Sequence, residues 1–241
     1  MPRKYLTDVR CRMIRILHLY HDLLNLYGEY GNISILKKHL EDQGEEVIVE
    51  KKSIGDDFSF EDYDFIYSGA GMESNTMVAL KDLKKRKDSL KKAIDLNKHI
   101  LFTGSSYELL GESIDDEEEG LNLIPVSVSH TDKRLSGDVI VKSSEFGELV
   151  GFINKSTQIK QNDGLFEYVF KDEGLKNEAV KEGYRLNNLI STEIIGPILV
   201  KNPVFLNYFV KSLAHNYVKK EYYYEEKAYE VTLEALKKRI K

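Results

Sequence analysis

Apolar residues fall into two habits along this chain: short unbroken runs, and longer stretches in which they recur every three or four positions. Met13–Leu19, Glu46–Glu50, Asp64–Tyr67 and Leu189–Ile195 are runs of the first kind, dense enough for strands buried on both faces. His99–Gly111 opens on another such run, passes through a tight turn of small residues and enters a helix. Helical spacing covers Ile33–Gln43, entered through the Gly-punctuated loop Asn25–Asn32, and Met77–Leu96, with Leu80, Leu83, Leu90 and Ile94 on one side. It returns from Pro203 to Lys219 and in a Tyr- and Lys-rich C-terminal helix. Strands alternating with helices predict a single-domain α/β protein, its mostly parallel central sheet flanked by helices on both faces. In the middle of the chain Val126–Ser129, Asp138–Val141 and Leu149–Phe152 are strand-like, and a turn-rich polar stretch follows to about Arg185. The expected division is an N-terminal extension over 1–12, a domain over 13–219 and a C-terminal helix over 220–241.

Composition narrows the classes. With 241 residues, 41% of them hydrophobic, the chain can bury one sizeable core. A net charge of −5 argues against nucleic acid or an anionic membrane as partner. No apolar run reaches the ~20 residues that span a bilayer, and Met1-Pro-Arg-Lys-Tyr lacks a secretory h-region. The expectation is a cytoplasmic protein without membrane insertion.

Candidate chemistry gathers where strands end, because open α/β sheets bind ligands outside their carboxyl ends. Gly69-Ala-Gly71 and Thr103-Gly-Ser-Ser106 both lie at such ends and are expected to line one pocket. Other features carry less. Cys11, the single cysteine, falls in the extension, outside the setting a reactive thiolate needs. His18 and His21 have metal-pair spacing but no carboxylate nearby except Asp22, so no metal or other cofactor is expected. The acidic run Asp115–Glu119 reads as an exposed loop, and Lys81–Lys87 as a solvated helix face.

The turn itself, Gly104-Ser-Ser-Tyr-Glu-Leu-Leu-Gly111, resembles the C-G-G-Y/F-Q-L-L-G elbow of class I glutamine amidotransferases of the cobyric-acid-synthase-like branch. Further strings are similar to the glutaminase subunits (GatD) of lipid II isoglutaminyl synthases. They are His18–Asn32, Tyr67–Glu73, Arg134–Gly137, Val150–Asn154 and Gly196–Pro203. The resemblance spans about Ile14 to Leu213 and implies a flavodoxin-like three-layer fold. It also implies a Cys–His pair that hydrolyses glutamine, backbone N–H groups that hold the oxyanion, and ammonia delivered to a Mur-ligase-like (MurT-like) ATP-dependent synthetase.

The matching positions depart from that chemistry. The nucleophile position is Gly104 and the base position Ile195. Gly69, Ala70 and Gly71 stand in the former oxyanion loop, with Met72, Ser105, Ser106 and Tyr107 around the pocket, and the family's glutamine after them is Glu108. The resemblance sets Arg134 against a glutamine carboxylate, and the residues alone leave it equally a surface arginine beside Lys133. The seryl hydroxyls lack a base, with His130 the one histidine to test in that role. Three functions follow: a degenerate pseudo-glutaminase that docks on the synthetase, a working amidohydrolase with non-standard residues, or a module that binds a small molecule such as glutamine.

Overall fold

The structure, a computed structural model, describes residues 13–115, 117–172 and 181–240. Cys11 and the expected extension lie outside them. In chain order the first half holds β1 (Ile14–Leu19), α1 (Tyr30–Asp42), β2 (Val47–Lys52), β3 (Phe65–Ser68), α2 (Glu73–Lys84), α3 (Lys87–Asp95), β4 (His99–Thr103) and α4 (Ser105–Glu108). Then come β5 (Ser113–Ile114), β6 (Glu118–Glu119), β7 (Ser127–Ser143), β8 (Gly147–Lys160), β9 (Phe166–Lys171), β10 (Lys181–Glu182), β11 (Tyr184–Leu186) and β12 (Leu189–Thr192). α5 (Ile198–Lys201), α6 (Pro203–Leu213) and α7 (Tyr223–Lys237) complete the described chain.

The apolar runs build one sheet in the order β11-β12-β4-β3-β1-β2, parallel throughout except for the β11–β12 edge. Side chains alternate across a strand, so each run feeds two cores. Ile14, Ile16, Phe65, Tyr67 and Leu101 face α1 and α6, packing on Leu36, Leu40, Phe205 and Phe209. Leu17, Leu19, Ile66, Ile100 and Phe102 face the other way, onto Leu80, Leu83, Leu90 and Ile94. Each such Leu, Ile or Phe contributes about 1.5–3 kcal/mol by leaving water.

The structure departs from the sequence expectation in several places: α1 begins at Tyr30, the acidic run contributes β6, and the turn-rich stretch to Arg185 holds the end of β8 and the strands β9 and β10. The three strand-like pieces of the middle region are parts of a long antiparallel hairpin, β7–β8, which with β5, β6, β9 and β10 forms a second sheet. The expected helix Met77–Leu96 is two helices, because Arg86 (φ −113°, ψ 8°) leaves helical geometry and turns its guanidinium onto Asp82 and the Phe58 ring. α6 ends at Leu213 instead of Lys219: Ala214 is extended, and the His215 N–H and imidazole bond to the buried Glu45 carboxylate at 2.6 and 2.7 Å. β12 stops at Thr192, short of Ile195. The C-terminal helix α7 lays Leu236 and Tyr229 on Ile140 and Val150 of the hairpin, and Tyr222 just before it stacks on His39.

Candidate functional site

The carboxyl ends of β1, β3, β4 and β12 converge on Gly104. Its φ of +56° with ψ of −131° is a backbone state that favours glycine, at the sharp strand-to-helix turn where an elbow presents a side chain. Gly104 N–H donates to the Thr192 carbonyl at 2.9 Å, which ties the turn to the neighbouring strand end. Ile195 reaches the turn through a separate bridge, its N–H donating to the Phe152 carbonyl at 2.9 Å. The two positions predicted to have carried catalysis are therefore adjacent, and hydrocarbon fills the space between them. A Cβ built on Gly104 would lie 2.6 Å from Ile195 Cγ2 and 2.7 Å from Ala70 Cβ.

The loop Gly69-Ala70-Gly71 runs beside this turn, as the sequence reading expects, and its last N–H is already engaged. Gly71 N–H donates to Ser105 Oγ at 3.0 Å, and Thr76 Oγ1 donates to the same oxygen at 2.9 Å. Ser106 is buried, its hydroxyl bonded to the carbonyls of Ser68 (2.8 Å) and Thr103 (3.0 Å). Neither serine stands beside a base. Tyr107 is also buried and bonds Gln161 at 2.5 Å, away from the cavity lining, whereas Met72 lines the cavity and is 58% exposed.

A cavity of about 430 Å³ opens over the turn, with Leu26, Tyr27, Ala70, Met72, Gly104 and Ser105 on one side. The opposite wall comes from the second sheet and explains how that sheet enters the site. Between His130 and Leu135 the β7–β8 register breaks, so that Thr131–Arg134 face Ser156 alone. Such a bulge re-aims side chains. Both His130 and Arg134 line the cavity. His130 is bracketed by the carboxylates of Asp115 and Glu73. Burial opposes its charged form, but the hydrogen bond to Asp115 and the fields of Glu73, Asp115 and Glu108 outweigh that and hold its pKa above the ordinary histidine value. Arg134 Nε donates to Asn154 Oδ1 at 2.5 Å and Nη2 to the Tyr27 hydroxyl at 3.3 Å.

Acidic groups at the site were the hardest to read from sequence. Glu29 sits in a Gly-punctuated loop that looks solvated, yet it is fully buried. Its Oε2 accepts from the hydroxyls of Tyr67 and Thr103, the latter at 2.6 Å, and its Oε1 accepts from Gly196 N–H at 2.7 Å. It thereby clamps the backbone next to Ile195. Burial raises its pKa, and the donors only partly offset this. On the cavity floor the Lys155 ammonium pairs with the Glu193 carboxylate, both nearly buried. Burial pushes Glu108 up to about 7 and Glu182, behind Glu193, up to about 8.

His18 and His21, with ring centroids 6.1 Å apart, meet a carboxylate at Asp22, 4.0 Å from His21 Nδ1, and burial lowers His18 to about 4. Among the described residues no group of three or more His, Cys, Asp or Glu could hold a metal, and no helix is long and apolar enough to cross a membrane.

An open, mostly parallel sheet with a strand-to-helix turn at a strand's carboxyl end and a glycine loop beside it is the frame of an α/β enzyme that reacts at that end, and the comparisons give the class as glutamine amidotransferase. The CobB/CobQ-like glutamine amidotransferase domain matches residues 15–202, and the chain belongs to that family. Solved structures share its fold: PurLQS from Thermotoga maritima has a TM-score of 0.57 at 14% identity, covering 86% of this chain and 99% of that one. The glutaminase domain of Trypanosoma brucei CTPS with bound acivicin has a TM-score of 0.55 at 10% identity, covering 87% and 98%.

Within the family, the chain is similar to the subunit GatD of lipid II isoglutaminyl synthase (glutamine-hydrolyzing). It is 31% identical to the Staphylococcus aureus protein over 202 residues, 82% of this chain and 83% of that one. Against the Streptococcus pneumoniae protein it is 30% identical over 197 residues, 78% and 76% of the two chains.

Proposed function

We propose that this chain is a GatD-like subunit that no longer hydrolyses glutamine and that docks on a Mur-ligase-like (MurT-like) ATP-dependent synthetase acting on lipid II in the cytoplasm. One observation carries the loss of chemistry: the volume a nucleophile's side chain needs at Gly104 is occupied by Ile195 and Ala70. Two others support it. The Gly71 N–H that would stabilise an oxyanion is spent on Ser105. Ile195 supplies no proton-transferring group, and removing both members of a cooperating pair leaves little to recover.

The scaffold around the site is kept while its chemistry is not, which fits a role in holding or shaping the synthetase. Ammonia release from glutamine, assayed with and without the co-expressed synthetase, tests the loss of chemistry; affinity co-purification tests the docking. The expected results are no release above background and a stable complex. Glutamine-dependent release, or no binding at micromolar concentrations, would overturn the respective half.

A further inference from the structure

His130 ties together three parts of the cavity wall that lie far apart in sequence. It is the last residue of β7 before the register with β8 breaks. Its N–H donates to Asp115 Oδ1 at 2.6 Å, its ring Nδ1 meets Asp115 Oδ2, and its ring Nε2 meets Glu73 Oε1. Asp115 lies in the turn between β5 and β6, and Glu73 is the first residue of α2, directly after the loop over 69–72. The contact therefore runs from the second sheet to the loop that borders Gly104.

This pairing dictates a protonation state. A neutral imidazole has one N–H, so it donates to one carboxylate only and turns a lone pair on the other; an imidazolium donates from both nitrogens. Two carboxylates on two ring nitrogens select the charged ring. The backbone supports the same arrangement, because Asp115 holds a φ of +56°, uncommon for a non-glycine residue, and its N–H is fixed on the Val128 carbonyl at 2.8 Å. Asp115 thus grips His130 by two contacts from a fixed backbone, whereas Glu73 holds it by one, from a side chain that is 61% exposed. The other charges around the ring are Glu108 from α4, Arg134 four residues on in β7, and Lys155 of β8, which pairs with Glu193. Opposite His130 itself, β8 sets the uncharged Thr157.

We propose that His130 is a proton-operated latch: as imidazolium it fastens the second sheet to α2 across the cavity, and as neutral imidazole it releases Glu73 and lets that wall part. Asp115 keeps its grip in both states, so the hairpin stays in place while α2 and the loop before it gain freedom. Burial opposes the charged ring, but Asp115, Glu73 and Glu108 outweigh it, so the pKa lies above the ordinary histidine value. The latch is closed below that pKa and opens as pH rises through it. Access to the cavity is regulated in this way whether or not any chemistry remains at Gly104.

The test is amide hydrogen exchange of the full chain at about pH 5.5 and about pH 8.5, corrected for the intrinsic pH dependence of exchange and read in peptides over 69–76 and 130–135. Protection of both segments is expected to fall about three- to tenfold at the higher pH, the size of one partly exposed charge-assisted contact, while α3 stays unchanged. His130→Arg, which keeps a cation at every pH, should hold the protected state at both values, and His130→Gln should show the weaker protection at both. Ring-proton NMR titration of the wild type, with His130 assigned by its absence from the His130→Gln spectrum, gives a second reading: its midpoint should lie above those of His18 and His99, and Glu73→Gln should lower it. Equal protection at the two pH values in the wild type, or a midpoint unmoved by Glu73→Gln, would overturn the proposal. So would a pH dependence that persists in both His130 variants, which would assign it to Glu108, itself held at about 7 by burial.

Discussion

Gly104→Ala is the smallest perturbation that tests whether the elbow is closed. Its methyl would sit 2.6 Å from Ile195 Cγ2 and 2.7 Å from Ala70 Cβ, where unstrained carbons rest at about 3.5–4.0 Å. Overpacking of this kind costs about 1–3 kcal/mol, and a Cβ on a left-handed backbone adds about 1–2 kcal/mol. The sum, about 2–5 kcal/mol, corresponds to a fall in melting temperature of about 4–20 °C for a chain this long. The overpacking part should disappear when its partners are trimmed. In the Ala70→Gly/Ile195→Ala background, Gly104→Ala should therefore cost about 1–3 kcal/mol less than in the wild type, a coupling that a double-mutant cycle by urea unfolding resolves. A Gly104→Ala variant within about 0.5 kcal/mol of wild type, or a cycle with no coupling, would refute the packing argument.

Three further perturbations probe the buried charges. Glu182 is held at about 8 by burial. Below its unfolded value its carboxyl is protonated in both states; as pH rises toward about 8 only the unfolded chain ionises, so stability falls by up to about 1.4 kcal/mol per unit and then levels. Glu182→Gln should flatten the change in urea midpoint between pH 5 and pH 8, and an unaltered slope would show that Glu182 is not the source. Lys155→Met should destabilise by about 3–5 kcal/mol, because Glu193 would keep a buried charge without its ammonium, while Lys155→Met with Glu193→Leu should recover much of the loss; equal melting temperatures for the single and double variants would count against a buried pair. Glu29→Ala should cost more than about 2 kcal/mol by leaving the hydroxyls of Tyr67 and Thr103 and the Gly196 N–H without their acceptor, and a loss below about 0.5 kcal/mol in thermal melts would contradict that network.

The central sheet was legible because its strands are buried on both faces and carry continuous apolar runs, as at Ile14–Leu19 and His99–Thr103. The β7–β8 hairpin was not. Its half beyond the α7 contact is polar and only partly buried, so His130–Leu135 and Lys155–Lys160 look like loop, and its pairing depends on a partner strand rather than on local propensity. The break at Arg86 lacks the Gly or Pro that would have announced it. At the site, Gly104 and Ile195 could be located from the motifs around them, whereas the reason they matter, that their surroundings close on each other, is a distance between residues far apart in sequence. Glu29 and the Lys155–Glu193 pair were invisible for the same reason: nothing local distinguishes a buried carboxylate from an exposed one until its donors are in place.

The most direct measurement is ammonia released from glutamine by the wild-type chain purified together with its synthetase, beside the Ala70→Gly/Gly104→Cys/Ile195→His variant prepared in the same way. The account predicts background for the wild type and measurable release from the triple variant, in which both reacting groups return and Ala70 no longer crowds the nucleophile. Glutamine-dependent release by the wild type, abolished by substituting a cavity residue such as Arg134, would contradict it.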